Sequence, residues 1–141
     1  MMKKLYLEPT SICNLNCRTC FRNNWFDEKQ GMMSDEVLQN VYTYLNKSNE
    51  LQSVMLAGMG EPLLHKKAVE IVNQISSSGK KAEILTNGTL LDEKTSAELI
   101  GAGLNTLWVS CDEAHIESAN SSAEILRNIE YFNSIRKDKC K

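Results

Sequence analysis

The chain reads as a regular alternation of four short apolar runs, each followed by a stretch with helical spacing, and few folds accommodate that order. The runs are Leu5-Tyr6-Leu7, Val54-Met55-Leu56-Ala57, Ala82-Glu83-Ile84-Leu85 and Thr106-Leu107-Trp108-Val109. After the first comes a long loop and then a helix from about Ser34 to Lys47, with Val37, Leu38, Val41, Tyr42 and Leu45 on one face. Ser34 suits the N-cap, and Asp35 and Glu36 suit the positive end of the helix dipole. A second helix, about Lys66 to Ser77, carries Val69, Val72 and Ile75 at helical spacing and stops at Gly79. A third is capped by Asp92 and runs to Gly101 and Gly103. The last has a capping box, Ser121 with Glu124, and turns Ile125, Ile129, Phe132 and Ile135 inward. Strands joined by helical crossovers are expected to be parallel, with right-handed connections and the helices packed outside. The fold class is therefore α/β, and ligands are expected beyond the carboxyl ends of the strands.

At 141 residues, with no repeat, low-complexity tract or Pro/Gly-rich linker, residues 1–141 read as a single domain. A net charge of -2 gives no general attraction to nucleic acid or anionic membrane. No apolar run approaches the ~20 residues of a membrane-spanning helix. The opening Met1-Met2-Lys3-Lys4-Leu5-Tyr6-Leu7 is cut off by Glu8 and Pro9, unlike a signal peptide, so a cytoplasmic location is expected.

Of five cysteines, three crowd together: Cys13, Cys17 and Cys20. Neighbours so close cannot staple distant segments, whereas in a reducing compartment such a cluster holds metal. A cubane iron–sulfur cluster normally takes four cysteines, so three leave one iron open to a further ligand. Asn14, Asn16, Arg18 and Thr19 between them suit an irregular loop that wraps a cluster. The competing reading is a zinc site completed by His65, His115 or Cys111. The other polar segments all fall on the same rim as the cysteine loop: Gly58 to Pro62 after the second strand, Thr86 to Gly88 after the third, and Ser110 to Asp112 after the fourth.

The run Cys13-Asn14-Leu15-Asn16-Cys17-Arg18-Thr19-Cys20 resembles the signature of the radical S-adenosylmethionine (SAM) superfamily. The resemblance implies a [4Fe–4S] cluster held by Cys13, Cys17 and Cys20, with SAM chelated on the open iron. It further implies reductive cleavage of SAM to a 5′-deoxyadenosyl radical that abstracts hydrogen from a substrate. Many members place an aromatic residue before the last cysteine. Here that position is Thr19, and Phe21 follows the motif instead. Gly58-Met59-Gly60-Glu61-Pro62 is similar to the family's glycine-glycine-glutamate-proline motif around the SAM amino group, with Met59 in place of the first glycine. Thr86-Asn87-Gly88 resembles a third-strand segment lining the SAM pocket. Ser110-Cys111-Asp112 resembles a fourth-strand serine-x-aspartate facing SAM. Cofactor contacts are thus expected from Gly58, Gly60, Glu61, Pro62, Thr86, Asn87, Ser110 and Asp112.

Cys111 is expected to be a small apolar filler, Cys140 an incidental residue of a charged tail, and His65 and His115 loop or helix-start residues. Trp25 and Phe26 stand where they would shield the cluster. The resemblance implies a partial (β/α) barrel of about six units, against eight in a closed barrel, so four units read as its N-terminal part. Strand four would then be an uncovered edge, completed by further chain or by a partner. The segments Leu7-Glu8-Pro9-Thr10 and Arg22-Asn23-Asn24-Trp25 are similar to maturases of metallocofactors or peptides, those of tungsten-cofactor oxidoreductases first and molybdenum-cofactor cyclases next. Such an enzyme implies an electron donor such as ferredoxin or flavodoxin and a peptide, protein or metallocofactor substrate. A non-catalytic cluster- and SAM-binding fragment and a zinc-binding structural module remain the rivals.

Overall fold

The computed structural model describes residues 3–24, 29–111, 117, 122–137 and 139–141. Strands β1 (Lys4–Leu7), β2 (Ser53–Leu56), β3 (Lys81–Thr86) and β4 (Leu104–Val109) form one sheet in the order β1-β2-β3-β4. All three pairings are parallel. Helices α1 (Asp35–Lys47), α2 (Ala68–Ser77), α3 (Glu93–Gly101) and α4 (Ser122–Arg136) follow the strands in turn, with 3-10 turns at Phe21–Asn24 and Pro62–Leu64. The α/β reading and the order of its units therefore hold.

The helices cover one face of the sheet. Leu7, Val54, Leu56, Ala82, Ile84 and Leu104 point into it and meet Leu38, Leu45, Ile71, Val72, Ile75, Leu99 and Phe132. Burial of this kind is the main favourable term in folding, roughly 1.5–3 kcal/mol for each fully buried large aliphatic side chain. The opposite face is partly open: Tyr6 is 66% exposed, Trp108 50% and Leu85 36%, while Met55 beside Tyr6 is buried. Glu83 lies on it, receiving Lys4 Nζ at 2.9 Å and Trp108 Nε1 at 3.2 Å. Burial raises the Glu83 pKa, but those bonds outweigh it and hold the carboxyl below its ordinary value.

Caps fix the helix ends. Ser34 Oγ accepts the Val37 N–H at 3.3 Å, as expected of an N-cap. At the end of α2 the chain reverses through Gly79, whose φ of 78° lies in the left-handed region that glycine adopts without penalty. Asp92 caps α3 by accepting the Thr95 N–H at 2.7 Å, and this bond lowers its pKa. A lowered folded-state pKa stabilises the fold above the unfolded value of about 3.9, and that contribution is lost as pH falls through the folded value. Asp92→Ala is expected to cost about 1 kcal/mol at neutral pH, with a deficit that shrinks in acid. Urea unfolding at the two pH values reads this directly, and an equal deficit in acid would show the cap is not electrostatic.

Several expectations change. Val37 is 45% exposed, because α1 meets the sheet through Leu38, Tyr42 and Leu45 one position round the helix. On α4 only Ile125 and Phe132 are buried, with Ile129 and Ile135 partly exposed. Cys140 is part of the core at 3% exposure, and burial pushes its thiol pKa up. The β4 edge is partly paired: the Lys141 N–H donates to the Asn105 carbonyl at 2.9 Å, and the Leu107 N–H to the Lys141 carbonyl at 2.8 Å. That is the pattern of a parallel bridge opposite Thr106. Between Ala82 and Glu83 the β3–β4 register shifts, and the Ala82 N–H is taken by Asn105 Oδ1 at 2.7 Å. Ser121, Asp112, His115, Trp25 and Phe26 lie outside the described residues. Among the described residues no helix is long and apolar enough to cross a membrane.

Candidate cluster and cofactor site

The loop after β1 is clamped at both ends before it reaches the cysteines. Thr10 is buried and forms an isolated antiparallel bridge with Met32. Ser11 N–H donates to the Gly31 carbonyl at 3.0 Å and Met33 N–H to the Pro9 carbonyl at 2.8 Å. On the other side the Glu61 N–H donates to the Ile12 carbonyl at 2.8 Å. Gly60 makes that approach possible: a Cβ there would lie 2.2 Å from the Thr10 carbonyl oxygen and 2.6 Å from that of Ile12. The glycine is required by the chain's own packing, before any ligand is considered.

Inside this clamp the cysteine segment is an irregular loop held by its own main chain. Cys20 N–H donates to the Cys17 carbonyl at 3.0 Å, Asn23 Nδ2 to the same carbonyl at 2.9 Å, and an Arg22 guanidinium N–H to the Leu15 carbonyl at 3.2 Å. Arg22 Nε is buried and has no partner among the described residues. Cys13, Cys17 and Cys20 are all partly exposed, so their thiols are within reach of a ligand.

A cavity of about 410 Å³ opens at the carboxyl ends of the strands, within the usual range of small-molecule sites. Its walls bring together all three cysteines, the Gly58–Glu61 turn, Thr86, Asn87 and Ser110, from four separate strand ends, with Leu85 and Phe21 as apolar surface. Phe21 is 73% exposed. Pro62 is buried behind the wall, where it starts a 3-10 turn. Cys111 is exposed, not the apolar filler expected, since it follows the rim where β4 has ended.

Glu61 shapes this rim from within. It is 2% exposed, and its carboxylate accepts the Leu63 N–H at 3.0 Å, the Thr86 hydroxyl at 2.7 Å and the Asn87 N–H at 2.7 Å. The turn after β2 is thereby joined to the turn after β3. Sequence reasoning placed Glu61 against the cofactor and missed this inward role, for which a motif alone holds no signal. It also missed Glu8, whose Oε1 accepts the Met59 N–H, and Asn14 and Thr89, which bond each other across the rim at 2.8 Å.

His65 is a structural residue. It is buried, its Nδ1 accepts the Lys67 N–H at 3.2 Å, and its Nε2 therefore carries the proton toward the Met33 carbonyl at 3.1 Å. Among the described residues no three His, Cys, Asp or Glu side chains gather as a single metal ion requires. A cubane makes no such demand, since each thiolate binds a different iron.

The Radical SAM superfamily model matches residues 7–140. The chain is 37% identical over 111 residues to the tungsten-containing aldehyde ferredoxin oxidoreductase cofactor-modifying protein of Pyrococcus furiosus, covering 79% of this chain and 31% of that protein. It is 36% identical over 109 residues to a probable GTP 3′,8-cyclase of Methanothermobacter marburgensis, covering 77% of this chain and 34% of that protein. It spans about a third of the length of these relatives. The solved structure of anSMEcpe with bound AdoMet and the Cp18Cys peptide superposes with a TM-score of 0.77 at 25% identity, over 100% of this chain and 42% of that one. A cysteine loop on the rim of a parallel sheet, within a match that runs almost end to end, leaves one family: the chain belongs to the radical SAM superfamily, whose cofactors are a [4Fe–4S] cluster and S-adenosylmethionine.

Proposed function

We propose that this chain is the cluster- and SAM-binding half of a cytoplasmic radical enzyme that matures a metallocofactor or a peptide. The observation that carries the reading is the joint lining of one cavity by three cysteines of one loop and by the turns after β2, β3 and β4. The donor set fits the cluster. Two N–H groups, from Leu15 at 3.5 Å and Asn87 at 3.8 Å, point at the Cys13 sulfur, an arrangement that suits a metal-bound thiolate.

Cys13, Cys17 and Cys20 would each hold one iron and leave the fourth open. The main chain at Gly58 to Glu61 would receive the amino group of SAM, and Thr86, Asn87 and Ser110 would line its pocket; a contact from Asp112, outside the described residues, would rest on the family resemblance alone. Once bound and reduced by a donor such as ferredoxin or flavodoxin, the pair supplies a 5′-deoxyadenosyl radical for hydrogen abstraction. The chain's own part is to anchor the cluster, orient SAM and keep the turns of the rim in register through Glu61. A maturase substrate is supported by the name of the Pyrococcus relative and by the peptide in the superposed structure.

The open sheet face favours a second reading. Tyr6, Leu85 and Trp108 lie uncovered, so the chain would bind both cofactors and need further structure, its own or a partner chain's, to hold a substrate. Anaerobic reconstitution with iron and sulfide, reduction with dithionite and addition of SAM separate the possibilities. Formation of 5′-deoxyadenosine supports the enzyme. A dark protein that binds SAM and forms none supports the second reading, and a colourless zinc protein refutes both.

A further inference from the structure

Asn87 is 7% exposed, and the two ends of its side-chain amide are sorted by their partners. Its Oδ1 accepts the Thr89 N–H at 3.0 Å and the Thr89 hydroxyl at 2.7 Å. Its Nδ2 donates to Asn14 Oδ1 at 2.8 Å, and Asn14 Nδ2 donates in turn to Thr89 Oγ1 at 2.8 Å. The three side chains close a ring in which every proton has a direction. Thr89 receives from Asn14, so its own hydrogen goes to Asn87. Reversing the Asn87 amide would set its NH2 group against a main-chain N–H, which has no acceptor to offer. Its main-chain N–H is held as well, by the Glu61 carboxylate.

Nδ2 donates to Asn14 and lies 3.8 Å from the Cys13 sulfur, within reach of its second hydrogen. Among the described residues no comparable side-chain donor reaches the sulfur of Cys17 or Cys20. Hydrogen bonds to ligand sulfurs draw negative charge from an iron–sulfur cluster, favour its reduced form and raise its potential.

We propose that Asn87 is a positioning residue that sets the reduction potential of the cluster, through an amide N–H that the Thr89 main-chain N–H and Asn14 Oδ1 hold toward the Cys13 thiolate. The proposal rests on Cys13 being a cluster ligand. It names a role apart from lining the SAM pocket, and the electron concerned is the single one the cluster accepts, with no bond made or broken in the protein.

The test is an anaerobic titration with dithionite, without SAM, of the reconstituted protein, followed by the paramagnetic signal of the reduced cluster, with iron and sulfide counted in each sample. Asn87→Leu removes the donor without adding charge. It is expected to keep its cluster and to be about tenfold harder to reduce, a shift of ~59 mV to more negative potential for one electron. Thr89→Val loosens the ring but leaves the amide hydrogen on sulfur, since the Thr89 N–H still holds Oδ1, and is expected to stay at the wild-type potential. Should Asn87→Leu fail to hold iron, the near-isosteric Asn87→Asp serves, with an even more negative potential expected. An unchanged potential in a cluster-loaded Asn87 variant overturns the proposal, as does an equal shift in Thr89→Val, which would trace the effect to loop disorder. Wild-type protein that takes up no cluster would instead remove the ligand assignment, and this proposal with it.

Discussion

Cys17→Ala is expected to leave the protein unable to keep an iron–sulfur cluster. A cubane normally draws on four protein thiolates, and this loop offers three. Alanine at position 17 leaves two, on either side of a gap in the middle of the loop. Removing partners outside the first ring of ligands costs 10–100-fold in metal affinity or activity, so losing a ligand itself should cost more than ~100-fold. The fold should survive, because Cys17 is partly exposed and lies outside the core formed by the helices and the sheet. Iron and sulfide content, 5′-deoxyadenosine yield and far-ultraviolet dichroism together read the outcome: no cluster, no product, unchanged secondary structure. Cys111→Ala is the matched control and should load normally, as its thiol is exposed beyond the end of β4. A Cys17→Ala protein that carries wild-type iron would sink the ligand assignment.

Glu61→Ala is expected to lower the unfolding free energy of the cluster-free protein by about 4 kcal/mol, and Glu61→Gln by about 2 kcal/mol. Leaving a buried donor without its acceptor costs about 1–3 kcal/mol. Alanine strands the Leu63 N–H, the Thr86 hydroxyl and the Asn87 N–H together. Glutamine keeps one oxygen, but its NH2 group must face either Leu63 and Thr86 or Asn87, so at least one main-chain N–H loses its bond. Against a total stability of 5–15 kcal/mol, the alanine loss is severe. Denaturant unfolding gives both values. Near-wild-type stability in Glu61→Ala would mean that the carboxylate does not knit the two turns together. The experiment needs no cofactor, so it isolates the structural role of Glu61 from any contact with SAM.

The sequence made the sheet and its order legible because local signals agree with the tertiary fold. Alternating apolar runs and helical spacing, the caps at Ser34 and Asp92 and the reversal at Gly79 are all read within a few residues. The cysteine spacing pointed to the rim, and the rim is where the cavity lies. What escaped depends on long-range geometry. Val37 shares the spacing of its buried neighbours, yet α1 packs through Leu38, Tyr42 and Leu45 and leaves it half exposed. Cys140 sits among charges in sequence and reaches the core only because Lys141 pairs with β4. A motif names Glu61 but cannot say whether its carboxylate turns toward a ligand or toward the next turn of its own chain. Asn14 and Thr89 lie 75 positions apart, so nothing local announces the ring they close with Asn87.

The irregularity at the start of β4 has an effect at its other end. In an unbroken strand, Leu104 and Leu107 would point to opposite sides, because neighbouring side chains alternate. With Asn105 set aside, its side chain bonded to Ala82, both leucines belong to the helix-covered side. Trp108 then stands beside Leu85, and the Ser110 N–H meets the Thr86 carbonyl at 2.9 Å. Were that odd residue absorbed into the ladder, the parity of everything after it would invert. The indole would be driven into the helix layer, and Ser110 would lose its place beside the Thr86 carbonyl. A single uncounted residue far below the cavity thus decides which side chains meet it.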